Sequence, residues 1–170
     1  MGDEGTASEH AKINGHRLTE FIYGTITAMV TIAGLSESTD LGWWSALTII
    51  VLGAAAVWVA HAYSTMISQR LTLGRRLHGL EMWEAMRTSW PIVTAGFLVA
   101  SPLLLAGMGL TSVDNALTFS NILGIAILAL VGYSAGLVSK EPLARRLVLA
   151  VGSAAIGFAV VMIEFAAHHR

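Results

Sequence analysis

The sequence predicts an all-α, polytopic membrane protein with five transmembrane helices, the N-terminus cytoplasmic and the C-terminus outside. Three observations carry that prediction. Of 170 residues, 55% are hydrophobic and only 12% are charged, which is more apolar surface than a soluble domain of this size can bury. Five stretches are apolar over a length near the ~20 helical residues that cross a ~30 Å hydrocarbon layer. Nine of the ten Lys and Arg residues fall into three gaps between those stretches.

Residues 1–16 are polar, include Gly2, Gly5 and Gly15, and have no apolar period, so they predict a flexible cytoplasmic tail. The first residues include Asp3, Glu4 and Glu9 and no apolar core with a cleavage site behind it, so the first apolar segment is expected to be a retained helix. Residues 17–170 read as one five-helix transmembrane domain. Its spans run roughly Leu18 to Leu35, Trp43 to Ile67, Trp90 to Leu110, Phe119 to Val138 and Leu147 to Ala167. Trp43, Trp44 and Trp90 sit at predicted span ends, where amphipathic rings favour the headgroup layer. The longest connection, 68–89, places Met82, Met86 and Trp90 at four-residue spacing opposite Glu84 and Arg87, which predicts a short interfacial helix near 78–89.

The gaps fix the orientation. Lys12 and Arg17, then Arg70, Arg75, Arg76 and Arg87, then Lys140, Arg145 and Arg146 alternate with connections that carry Glu37 and Asp40, or Asp114, and no Lys or Arg. Excess Lys and Arg stay cytoplasmic, and an odd number of spans puts the termini on opposite sides. A bacterial-type plasma membrane is the expected location. The lack of cysteine excludes disulfides, thiolate zinc sites and cysteine nucleophiles, and a net charge of −1 gives no nucleic-acid signal. No cofactor is implied. No nucleophile with a base and no paired carboxylates occur at suitable spacing within the spans, so no enzyme is expected.

Polar residues inside spans are costly unless they face a partner, a cavity or the interface. In the first span Glu20, Tyr23, Thr27 and Thr31 follow steps of three, four and four and form one narrow stripe. In the second, Trp58, His61, Thr65 and Ser68 form another, with Ser64 beside them. Glu20 lies within a turn of the cytoplasmic end of its helix and His61 about two turns from the same end of the next. An antiparallel pair could therefore bring them within a turn of each other, and a Glu and His pair could carry a proton or bind a cation. The plainer alternative is a packing histidine that hydrogen-bonds across a helix interface.

Four weaker signals remain. His78, Glu81 and Glu84 recur at three-residue spacing and could approach a divalent cation, although a solvated polar face has the same pattern. Glu164, with His168 and His169 behind it, reads as an interfacial anchor. Gly132 and Gly136 form a G-x-x-x-G that marks a helix contact, either within the chain or with a second protomer. Ser101-Pro102 in the third span should kink that helix and free a carbonyl.

The order of these features resembles the vacuolar iron transporters, in a short form without their cytoplasmic metal-binding domain. The stretch Tyr23-Gly24-Thr25-Ile26-Thr27-Ala28-Met29-Val30-Thr31-Ile32-Ala33-Gly34-Leu35 is similar to that family's first helix, D-G-L-V-T-T-F-x-V-V-A-G-L. Val57 to Gln69 resembles the end of its second, most clearly at Tyr63 and Ser68-Gln69, and a proline-containing third helix and Gly-rich fourth also agree. The resemblance implies five spans, a cytoplasmic N-terminus and proton-coupled passage of ferrous iron and related cations. The family's metal ligands fall on Tyr23, Trp58 and Ala62, so none carries over residue by residue. A second likeness, to lysosomal-type potassium channels whose first helix opens R-x-x-x-F-S-D, rests on Arg17 and Phe21 and departs at Ile22 and Tyr23.

The expected function is thus a small, proton-coupled cation transporter, a homo-oligomer with a dimer favoured, with Glu20, Tyr23, Thr27, Thr31, Trp58, His61 and Thr65 along its path. The alternatives are an oligomeric ion channel, and a non-transporting membrane module that binds a partner protein or lipid.

Overall fold

In the computed structural model, residues 3–36, 41–75 and 78–168 are described, and all regular structure among them is helical. Glu37, Asp40, Arg76 and His169, which figured in the charge pattern and the C-terminal anchor, lie outside the described residues. Seven helices follow in order: α1 (Asp3–Leu35), α2 (Trp43–Leu73), α3 (Gly79–Thr88), α4 (Pro91–Ala100), α5 (Leu103–Gly107), α6 (Val113–Val138) and α7 (Leu143–His168). Four of them, α1, α2, α6 and α7, are long and apolar enough to cross a membrane.

Local chemistry explains the boundaries. α2 stops at Gly74, whose φ of 63° only glycine adopts freely and whose N–H closes on the Arg70 carbonyl. α3 opens with a capping box between His78 and Glu81. Pro91 occupies the first turn of α4, where its missing N–H costs nothing. The Ser112 side chain accepts the Asn115 N–H at the start of α6.

Two expectations change. Residues 3–16 belong to α1 as helix and are not a separate unstructured tail; a helix already nucleated by the membrane span extends one residue at a time at little cost. The third expected span is broken at Ser101-Pro102 into α4 and α5. Pro102 has no N–H for the Leu98 carbonyl, and that carbonyl is taken instead by the Ser101 N–H at 3.3 Å and the Ser101 hydroxyl at 2.8 Å. The break therefore does not leave the Leu98 carbonyl without a donor.

α1 is the centre of the bundle and packs against α2, α4, α6 and α7. Met29 and Ile32 of α1 meet Ile50, Val99, Leu103, Leu117 and Leu128 in one buried cluster. Small residues set the close approaches: a methyl at Gly24 would meet the Ile92 carbonyl oxygen at 2.5 Å, and one at Gly96 the Ala54 side chain at 2.7 Å. Gly132 faces Ser153 and Leu149, and Gly136 faces Arg146, so the G-x-x-x-G serves α7 of the same chain.

These contacts also align the ends. Tyr23 lies beside His61, Gly24 beside Ile92 and Gly136 beside Arg146. At the other end Gly107 meets Trp43, and Gly34 meets Glu164. Arg17, Arg70, Arg75, Arg87, Lys140, Arg145 and Arg146 accordingly gather at one end of the bundle, and Asp114 and Glu164 lie toward the other.

Candidate functional site

At 1.5 Å per residue, α2 is about 46 Å long and overruns a ~30 Å hydrocarbon layer. Its last turns and the start of the apolar part of α1 lie at the basic end, where α3 covers them. Between these three helices is a cleft of ≈ 520 Å³, lined by His16, Thr65, Ser68, Gln69, Thr72, Leu73, Glu81, Glu84, Ala85 and Thr88. Seven of these ten residues carry a hydroxyl, amide or carboxylate, because the α2 stripe continues past Thr65 in polar residues.

Just beyond the cleft sits Glu20, which is 1% exposed. One of its carboxylate oxygens, Oε1, lies 2.7 Å from His61 Nε2 and 3.4 Å from His16 Nε2. The other, Oε2, is buried and has no hydrogen-bonding partner among the described residues. His16 touches the carboxylate and lines the cleft, so it connects the two. The His61 side chain is 35% exposed, and the Tyr23 ring lies 6.1 Å from it, tilted by 45°. Glu20 and His61 are brought together by the antiparallel packing of α1 on α2.

The other expected path residues divide. Thr65 faces the cleft. Thr27 and Thr31 lie on the α1 side of the seam with α2, where Thr31 comes opposite Gly53. Each donates its hydroxyl to the carbonyl four residues earlier, Tyr23 and Thr27 respectively. Trp58 turns away from α1: its Nε1 donates to the Met86 carbonyl at 2.9 Å, and its ring packs edge-on against Trp90 at 5.4 Å. It fastens α3 to α2.

The three-residue spacing of His78, Glu81 and Glu84 does not make a metal centre, since no such group of three or more forms among the described residues. The physical reason is competition. Glu81 is claimed by the Arg75 guanidinium at 2.6 and 3.1 Å and accepts the His78 N–H at 2.8 Å. Arg75 holds the Glu81 carboxyl well below the usual carboxylate range, at about 2, with the His78 N–H adding to the effect. Glu84 turns instead into the cleft.

His16, Gln69, Thr72 and Thr88 are site residues that sequence reasoning missed. His16 had a signal, because it lies four residues before Glu20 and hence on the same helical face. Gln69 and Thr72 fell beyond the expected end of the second span. Compared with family models, with curated proteins and with solved structures, the chain matches none.

Proposed function

We propose that this protein is a small proton-coupled cation transporter in which Glu20 and His61 hold the transported proton and His16 exchanges it with the cleft. The observation that carries this reading is the Glu20 carboxylate, buried at 1% exposure with one oxygen shared by two imidazoles and the other without a partner among the described residues. Burying a carboxylate that is only half satisfied is costly, and a purely structural role would be served as well by an amide or by apolar packing. Imidazoles are suited to pass protons at neutral pH. The cleft favours a cation, since Glu84 lines it together with Thr65, Ser68, Gln69, Thr72 and Thr88, while the Glu81 carboxylate is held by Arg75.

In this reading α4 and α5 together make the remaining span, so the chain crosses five times with the basic end and N-terminus in the cytoplasm, as the retention of Lys and Arg requires. The homodimer is supported by the exposed Tyr23 beside half-exposed His61 on the α1 and α2 surface, polar groups that a second copy would shield from lipid.

The test is flux in liposomes, with protons, potassium, ferrous iron and manganese offered across an imposed pH difference. The parent protein is expected to move a cation in exchange for protons, and Glu20→Gln, which keeps the shape of the side chain and removes its proton, to fall to the level of empty vesicles. A folded Glu20→Gln protein that keeps every parental flux would overturn the assignment. A parent that moves none of the four would favour a non-transporting module.

A further inference from the structure

A second site lies along α3, next to the first. Trp58, Trp83, Met86, Arg87 and Trp90 line an apolar cleft of ≈ 300 Å³. Trp83 and Arg87 are also part of the wall of a neighbouring cleft of ≈ 550 Å³ that includes Arg17 and Leu80 and shares His16, Glu84 and Thr88 with the cleft between α1, α2 and α3. Trp83 and Arg87 are one helical turn apart, so the two clefts form a continuous surface with an aromatic half and a basic half. The rings are held in place, since Trp58 is hydrogen-bonded to the α3 backbone and stacked edge-on with Trp90. Leu80 and Trp83 are strongly exposed, at 83% and 64%.

Neither Arg17 nor Arg87 forms an ion pair among the described residues, whereas Arg75 and Arg145 each bind a carboxylate. Two unpaired guanidiniums at the edge of an apolar tryptophan cleft match a phosphodiester joined to acyl chains. The planar fork of arginine binds phosphate oxygens in pairs, while tryptophan favours the level just below the headgroups. A free soluble anion would use the arginines and leave the apolar cleft uncovered. Glu84 opposes any anion in the larger cleft, but it stands against two cations there.

We propose that the surface formed by Trp58, Trp83, Trp90, Arg17 and Arg87 is a binding site for one anionic phospholipid, which would seat α3 on the membrane. Its headgroup phosphate lies against Arg17 and Arg87 and its chains cover the tryptophans.

The experiment uses the full chain in vesicles that contain brominated phosphatidylglycerol or brominated phosphatidylcholine at equal mole fraction, with tryptophan quenching as the readout. Phosphatidylglycerol is expected to quench more strongly than its share of the bilayer, with an apparent preference that drops about fivefold for each arginine removed in Arg17→Gln and Arg87→Gln. Both positions are exposed, and helix content measured on the same samples confirms folding. Added salt should weaken the preference of the unaltered protein, a check that needs no variant. Equal quenching by the two lipids, or a preference that survives in the doubly substituted protein, overturns the proposal. So does displacement of the lipid signal by inorganic phosphate at matched ionic strength, which would point to a free anion.

Discussion

His61 and Glu20 join α1 to α2 through a single close contact at 2.7 Å, and the proposed transport would act through the same contact. Removing the side chain altogether, as in Glu20→Ala, leaves a cavity at a position that is 1% exposed, and substitutions of that kind cost about 0.5–3 kcal/mol. Glu20→Gln retains an acceptor oxygen. We expect Glu20→Ala to unfold measurably earlier than the parent in a detergent thermal melt and Glu20→Gln to melt near it. An equally early melt of both variants would mean that the charge stabilises the bundle. His61→Ala should lose proton coupling while leaving α3 in place, because the α2 residue that fastens α3 is Trp58.

A second residue-scale consequence concerns Glu81, whose carboxyl is lowered from 4.5 to about 2 chiefly by the Arg75 hydrogen bond, with the His78 N–H next. A depressed carboxyl contributes stability that is present above its unfolded value and is lost as pH falls through its folded value. The start of α3 should therefore hold from neutral pH down to about 4.5 and loosen progressively toward about 2. Tryptophan emission from Trp58, Trp83 and Trp90 reports the change. Glu81→Gln should already show the loosened signal at neutral pH and no transition in that window. A transition of equal size in the variant would assign it to some other carboxylate.

Among the elements, the glycines separate costly contacts from cheap ones. A methyl at Gly24 meets Ile92 backbone at 2.5 Å, and one at Gly124 meets the Met29 side chain at 2.6 Å. Backbone cannot yield without shifting α4, whereas an unbranched thioether has free rotamers. Gly24→Ala is thus expected to cost about 1–3 kcal/mol, Gly124→Ala less, and Gly152→Ala nothing, since no atom lies within 4 Å there. Thermal melts of the three variants in one detergent check the order, and equal melting of Gly24→Ala and Gly152→Ala would refute it.

Much of this was legible in the sequence. The apolar lengths located the four long helices, the antiparallel arithmetic of Glu20 and His61 anticipated their meeting, and Pro102 marked the break in the third span. The failures share a physical cause, which is that spacing says which residues share a face but not which partner claims them. His78 and Glu81 had the spacing of ligands, yet the capping box and Arg75 take up Glu81. Trp58 belonged to the α2 stripe by periodicity, yet the Met86 carbonyl draws it toward α3. His16 sat in a segment without apolar period, and such a segment gives no sign that a neighbouring span will extend helix through it.

For the whole molecule, the question that decides the path of the chain is whether α4 and α5 cross the bilayer together or return to the side where they began. Their geometry argues for crossing, because α4 starts beside Gly24 and α5 ends against Trp43, at opposite ends of the bundle. The Ser101 hydroxyl on the Leu98 carbonyl removes the main obstacle to a broken helix in lipid. The chain has no cysteine, so single thiols can be introduced without background. Thr72→Cys and Ser139→Cys mark the basic end, Ser36→Cys and Asn115→Cys the other, and all four positions are exposed. With a membrane-impermeant maleimide on intact cells, Ser36→Cys and Asn115→Cys should label directly, and Thr72→Cys and Ser139→Cys only after permeabilisation. Thr72 and Asn115 are separated in the chain by α3, α4 and α5 alone. Labelling of both from the same side would make α4 and α5 a re-entrant pair, reduce the crossings to four and bring the C-terminus back to the side of the N-terminus.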